Sequence, residues 1–464
     1  MTDFGFLRRK IRKSSGSQGG THIESEIRRY LREGESYVRN RAIADIERTR
    51  KGLFELRFFK NGKPVQQNLR AVLKQTDLDF NFGANIFMLE QYETEEKNRL
   101  YEKEFLKIFN SASIPLYWEG TEPQKGHLRY DRGTPNDVYR RLPAVEVADF
   151  CEAHGLRMKG HPLFWYEFIP SWLTKYTFTE QKKLIAKRFR EIAERFANRC
   201  ERFDVVNEPS RIYDVYMRDR ARGGSFLLPE DDYCLWLFDL ARQLFPSNTL
   251  ILNDTVGASF HEFRGKYSGY YLNIKDLLSR GARIDEIGMQ CHLGDHGGEN
   301  VYNGERLYNV LDTYAALGKP INISEISIPS EFDGVIDEDL QAEAAEQLYK
   351  ICFSHPAVTG LTWWNLPDDG VAVTKQRMAG DENMPSTGLI GSDYHEKKAY
   401  QVLRKLIREQ WHTDAQVDVP QDIIAFRGFY GHYDLAVCDG QREIHKKIHL
   451  SPKLSRIQRI DLDD

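Results

Sequence analysis

The sequence predicts an α/β chain: a (β/α)8 barrel with a small β-sandwich-like accessory unit built from both ends of the chain. Three observations predict it. Eight short apolar runs follow one another from residue 81 onward, with starts 32 to 47 residues apart. The stretches between them carry helical periodicity. The polar residues of the runs gather at their C-terminal ends, where barrels of this kind build active sites.

The first 21 residues hold a basic cluster, Arg8, Arg9, Lys10, Arg12 and Lys13, beside SSGSQGG. This composition reads as a solvated tail. Residues 22–78 combine a charged helical stretch with strands. GLFELRFF, the turn KNGK and a second strand-like run read as a hairpin around Asn61-Gly62. Residues 79–412 hold the barrel. Its runs are NFGANI, SIPLYW, LRMKGHPLFW, RFDVVNE, TLILND, EIGMQCHL, PINISEISI and GLTWWNL. Each spacing suits a strand, a crossover helix and two loops. After Thr179, a candidate N-cap, Leu184, Ile185, Phe189, Ile192, Ala193 and Phe196 fall on one helical face. Gly155, Gly281 and Gly318 each follow a helical run and precede a strand, which suits a helix C-terminal cap. Residues 413–464 return to strand patterns. Neither end of the chain covers both its faces alone, so the two are expected to meet in one sandwich. An open doubly wound sheet is the alternative. It calls for a Gly-rich phosphate turn after the first strand, and FGANIFML has none.

Composition bounds the partners. The 464 residues are 41% hydrophobic with a net charge of −4, which gives no polyanion-binding surface. Nucleic acid is therefore not an expected partner. No run of about 18 apolar residues occurs, so no membrane span is expected. The six cysteines are scattered without a CxxC pair and read as buried thiols in a reducing compartment. As written, the chain carries no secretory signal, which implies a cytoplasmic protein unless a signal has been removed. Oligomeric state is not readable.

Two glutamates carry the chemistry. Glu208 closes FDVVNEPS and Glu325 lies in INISEISI, each at a strand end. Carboxylates brought together from two strands are what the hydrolysis of a sugar acetal needs. For a lone glutamate, a solvated strand end is the ordinary reading; here Asn207, Gln290 and His292 also lie at strand ends. A metal reading of the His292-x3-His296 pair, with Asp295 close by in CHLGDHGG, finds no further ligand, so no metal is expected.

The motifs WEGTEPQKG, KGHPLFW, FDVVNEP, LILND, IGMQCHL, ISEISI and TWWNLPDDG, in order along residues 79–410, resemble glycoside hydrolase family 10, best known for β-1,4-xylanases. The resemblance implies a retaining hydrolase of β-linked oligo- or polysaccharides that needs no cofactor. It implies Glu208 as general acid and base and Glu325 as nucleophile. It places Asn207 on the sugar 2-hydroxyl and His292, with Gln290 two residues back, beside the nucleophile. His161 would contact the sugar, with Trp364 and Trp165 as its walls and Tyr166 nearby; Trp363 would pack away.

The match departs in three places. The family's Glu-Asn-x-x-Lys pattern on the second strand falls on Ser113, Ile114 and Tyr117. Tyr166 stands where the family often has His. Ser327 replaces an Asp that would support His292. These departures leave open a β-glycoside other than xylan, or a carbohydrate-binding barrel that does not hydrolyse. A purely structural role on the same fold is the third reading.

Overall fold

A computed structural model of the chain describes residues 19–134, 138–211, 233–293, 299–332, 334–370, 386–420, 422–438 and 442–463. The basic cluster at Arg8–Lys13, and Asp295 and His296, lie outside the described residues.

Strands β1 (Lys51–Lys60), β2 (Lys63–Pro64) and β3 (Leu69–Leu78) precede the barrel. The barrel strands are β4 (Asn81–Asn85), β5 (Ser111–Pro115), β6 (Arg157–His161), β7 (Arg202–Asn207), β8 (Thr249–Asp254), β9 (Glu286–His292), β10 (Ile321–Ser327) and, after the short pair β11 (Glu331–Phe332) and β12 (Val335–Ile336), β13 (Val358–Trp363). They close in parallel, with β13 returning to β4 at Gly360 opposite Asn81. All eight apolar runs are thus barrel strands. Their near-continuous burial is what a parallel strand covered on both faces requires.

The crossover helices bury the faces their periodicity indicates. In the helix Phe178–Phe196, Ile185, Phe189, Ile192 and Phe196 are fully buried. The helix starts earlier than its pattern suggests. Thr177, not Thr179, is the cap, and Glu180 accepts from its backbone N–H at 2.9 Å. Gly155, Gly281 and Gly318 take φ of +65°, +90° and +74°, the left-handed geometry that ends a helix.

The chain ends form two four-stranded sheets. Strands β14 (Asp414–Val419), β15 (Ile423–Phe429), β16 (Gly431–Cys438), β17 (Glu443–Leu450) and β18 (Ile457–Asp461) follow the barrel. One sheet orders β15-β1-β18 with β2 on β1; the other orders β14-β3-β16-β17. The hairpin at Asn61-Gly62 is therefore only two residue pairs deep, and β3 leaves it for the facing sheet. The reason is alternation: Phe54, Leu56 and Phe58 on β1 face Leu69, Ala71 and Leu73 on β3 across one shared core. Each of the Phe and Leu side chains, fully buried, contributes about 1.5–3 kcal/mol.

The helices Gly19–Arg32 and Glu35–Thr49 belong to the barrel wall rather than to these sheets. Arg28 meets Asp337 at 2.6 Å and Arg41 meets Asp312 at 2.8 Å. Arg50 donates to the carbonyls of His355 and Val358 at 2.6 and 2.7 Å. The accessory sheets reach the barrel at its N-terminal end, where Arg157, the first residue of β6, donates to the Leu78 and Phe80 carbonyls. The strand ends that carry the polar residues lie at the opposite mouth. Among the described residues, no helix is long and apolar enough to cross a membrane.

Candidate active site

Strand β7 delivers Asn207 and then Glu208. The chain turns sharply at Glu208, whose φ of +53° is left-handed, a conformation side chains seldom adopt away from functional turns. Its N–H is held by the Asn253 carbonyl of β8 at 2.8 Å. Its Oε1 accepts from Gln290 Nε2 of β9 at 3.0 Å. Both residues are buried.

Strand β10 delivers Glu325 opposite Gln290. One glutamine position therefore neighbours one acid and hydrogen-bonds the other. A register shift between Ile323 and Glu325 interrupts the alternation of β10. The adjacent residues Ser324 and Glu325 consequently reach the same partner. Ser324 donates to Asn253 Oδ1 at 2.5 Å, and Asn253 Nδ2 donates to Glu325 Oε1 at 2.9 Å and to Asn207 Oδ1 at 2.7 Å. Gly288 makes room for this amide, since a Cβ there would lie 2.5 Å from Asn253 Oδ1.

His292 completes the surroundings of Glu325. Its Nε2 lies 3.2 Å from Glu325 Oε2, and its Nδ1 lies 2.9 Å from the Ser327 hydroxyl, which stands opposite it on β10. Burial alone would raise the Glu325 carboxyl. The His292 hydrogen bond and the charges of His161, His292 and Lys159 outweigh burial and hold it below the ordinary glutamate range. Glu325 is thus held toward its ionised form in a buried site.

His161 is buried at the end of β6, with Nδ1 2.7 Å from Asp204 Oδ2. Lys159 reaches the same oxygen at 3.0 Å. Burial pushes Asp204 up, but Lys159 and His161 prevail and keep it low. Above His161 stands an aromatic group of Phe87, Tyr117, Trp165 and Trp364. His161 lies edge-on to Trp364, with centroids 5.2 Å apart, and 5.4 Å from Tyr117. His292 is 6.3 Å from Trp364. Trp364 thus joins the aromatic group to the Glu325 side.

Glu208, Glu325, Asn207, Gln290, His292, His161, Trp165 and Trp364 are therefore one contiguous assembly. Trp363 packs into the barrel wall and donates to the Thr387 carbonyl at 3.0 Å. Tyr166 does not join its neighbour Trp165. It opens a short 3-10 turn that sends its ring against Phe164 and Tyr233, at 5.1 and 5.7 Å, in the core of the barrel wall. Among the departures, Tyr117 sits in the aromatic group beneath the Arg141 guanidinium, 3.7 Å from its ring centroid. Sequence reading assigns no role to Lys159, Asp204, Ser324 or Asn253. The KGH and FDVVNE runs carried a signal for the first two: a lysine and an aspartate inside otherwise apolar strands.

The chain matches the family model for Glycosyl hydrolase family 10 over residues 69–406. It belongs to glycosyl hydrolase family 10. It is 24% identical to Endo-1,4-beta-xylanase 3 of Arabidopsis thaliana, over 79% of this chain and 43% of that protein. It is 25% identical to the Anti-sigma-I factor RsgI6 of Acetivibrio thermocellus, over 81% of this chain and 43% of the relative. It is 24% identical to Endo-1,4-beta-xylanase B of Thermotoga neapolitana, over 74% of this chain and 92% of that one. The chain thus spans less than half the length of the first two of these relatives. In structure it resembles xylanase 10B from Thermotoga petrophila, solved with xylobiose, at TM-score 0.55 and 22% identity, covering 72% of this chain and 95% of the other. This likeness speaks for the barrel fold alone.

Proposed function

We propose that this family 10 chain is a retaining glycoside hydrolase acting on β-1,4-xylan-like glycans. Glu325 attacks the anomeric carbon while Glu208 protonates the departing oxygen. A covalent glycosyl ester forms on Glu325, and Glu208 then takes a proton from the water that releases it. Neither step needs a cofactor. One observation carries the reading: Asn253 and Gln290 tie the two acid-bearing strands together, with Glu325 kept ionised. A second supports a sugar as ligand. Among the described residues, the buried Asn207 Nδ2, His161 Nε2 and Trp364 Nε1 have no hydrogen-bond partner, and buried polar atoms of this kind suit a hydroxyl-rich guest. The wall made by Trp165, Trp364 and Tyr117 suits the apolar face of a sugar ring.

The test is a series of 2-deoxy-2-fluoro β-glycosides in xylo and gluco configurations, followed by mass spectrometry of proteolytic fragments. The expected result is one sugar adduct on the fragment containing Glu325, formed faster with the xylo compound. A faster gluco adduct on the same fragment would keep the mechanism and change the sugar. A folded protein that binds oligosaccharide, forms no adduct and releases no reducing ends would make it a binding barrel. Glu208→Gln should lower kcat on glycosides with poor leaving groups by about 10²–10⁴-fold, the share that proton transfer contributes.

A further inference from the structure

Far from the barrel mouth, three side chains remote in sequence converge on the outer face of the β14-β3-β16-β17 sheet. His432 on β16 and His449 on β17 are direct cross-strand partners. Their rings stack with centroids 4.1 Å apart and planes 12° from parallel. Asp79, the residue after β3, approaches from the third side, its carboxylate oxygens 2.7 and 2.9 Å from His449 Nε2. One ligand atom from each of Asp79, His432 and His449 lies within 4.8 Å of the other two.

We propose that Asp79, His432 and His449 form a binding site for a divalent transition-metal ion of the zinc class. Imidazole nitrogens with one carboxylate suit zinc, nickel or copper better than calcium or magnesium, which prefer all-oxygen sets. Zinc bonds of 2.0–2.1 Å place tetrahedral ligand atoms about 3.4 Å apart. An imidazole ligates in its own ring plane, so the two stacked rings must tilt apart to aim their nitrogens at one ion, a rotation that their exposure permits. Water fills the remaining positions.

The backbone holds the histidines in place. A register shift between β3 and β16 falls at His432, leaving Thr76 as the extra residue. Gly431, at φ +153°, lies against the Asp77 carbonyl, where a Cβ would stand 2.0 Å from the oxygen. Asp79 is two residues from Asn81, the first residue of barrel strand β4. A bound ion would therefore clip β3, β16 and β17 together at the point where the accessory sheet hands the chain to the barrel. Its effect would be on stability at that joint, since the catalytic mouth lies at the other end.

The test is calorimetric titration of the metal-stripped full-length chain with zinc ion, repeated for His432→Asn, His449→Asn and the control His395→Asn. His395 also contacts two carboxylates but lies elsewhere. The wild type and the control should bind the same number of zinc equivalents, and each of the other two variants one fewer. Zinc should raise the wild-type melting temperature, with the rise lost in His432→Asn and His449→Asn. Calcium should do neither. Cobalt in place of zinc should show no thiolate charge-transfer band that would implicate the exposed Cys438. Unchanged stoichiometry in both site variants, or no zinc binding by the wild type, would overturn the proposal. The cobalt spectrum of the wild type stands independently if a variant fails to fold: absence of bound-cobalt absorption, or a thiolate band, counts against the site.

Discussion

The two halves of the barrel mouth are built from different materials. The half formed by β7 to β10 is polar and closely bonded: Asn207, Glu208, Asn253, Gln290, His292 and Glu325 share a chain of contacts between 2.7 and 3.2 Å. The half formed by β4 to β6 and β13 is mostly aromatic, with Phe87, Tyr117, Trp165 and Trp364 around a single buried imidazole. Strong local hydrogen bonds fix atoms to within tenths of an ångström, which bond-making demands. Rings offer area with looser registry, which suits holding a sugar. Under the proposed hydrolase reading, the first surface is expected to carry the reaction and the second the choice of substrate. The match to the family departs on both: at Ser327 beside His292 on the first, and at Ser113, Ile114 and Tyr117 on the second.

That division can be broken by two substitutions. Asn253→Ala removes the amide that bonds both Asn207 and Glu325. Stranding buried polar groups costs about 1–3 kcal/mol, so kcat should fall about 5- to 150-fold with KM little changed. Trp165→Ala removes a wall. Aromatic contacts of this kind are worth about 0.5–1.5 kcal/mol, so KM should rise about 2- to 12-fold with kcat nearly constant. Steady-state kinetics on an aryl β-xyloside and on xylo-oligosaccharides would measure both. If Trp165→Ala lowers kcat as far as Asn253→Ala does, the two surfaces are not separate.

The barrel was legible because parallel strands covered on both faces must be apolar and because crossovers have a minimum length. The site was legible where residues sat at strand ends, as with Glu208, Gln290 and His292. What the sequence concealed were breaks in periodicity. The shift before Glu325 makes Ser324 and Glu325 share one partner, which strict alternation forbids. The left-handed turn at Glu208 leaves no mark in a run that reads simply as a strand end. Tyr166 faces away from Trp165, the residue before it, because it opens a 3-10 turn that strand alternation does not foresee. The crossing of β3 to the facing sheet was hidden because a hairpin signal fixes the turn, not how far the pairing extends.

Ser327→Ala sharpens the comparison from within the polar half. Ser327 is the contact at Nδ1 of His292, and the His292 bond is one of the forces lowering Glu325. Without the hydroxyl the imidazole can turn, its grip on Glu325 loosens, and burial gains weight. The Glu325 carboxyl should then titrate at higher pH. The acid limb of kcat/KM should move upward while the plateau falls only a few-fold; an unmoved limb would show that Ser327 does not orient His292.

Asp254, beside Asn253, is the counterexample to Glu325. It too is fully buried, but the group nearest it is the Ser210 hydroxyl, at 2.6 Å, where Glu325 has histidines and a lysine. Burial wins and pushes its carboxyl up to about 7 from an ordinary 3.8, with the Ser210 and Thr255 hydrogen bonds opposing. In the folded protein Asp254 therefore keeps a proton that the unfolded chain has already released. Folding takes up that proton between about pH 4 and pH 7, and stability is lost as pH rises through this window. Asp254→Asn keeps an acceptor for Ser210 and removes the titration. Melting temperatures measured in parallel from about pH 5 to about pH 8 should fall less steeply for the variant than for the wild type, with the gap opening toward alkaline pH. Parallel curves would mean that Asp254 is ionised in the fold as Glu325 is, and that the cations around Glu325 are not what sets the two carboxylates apart.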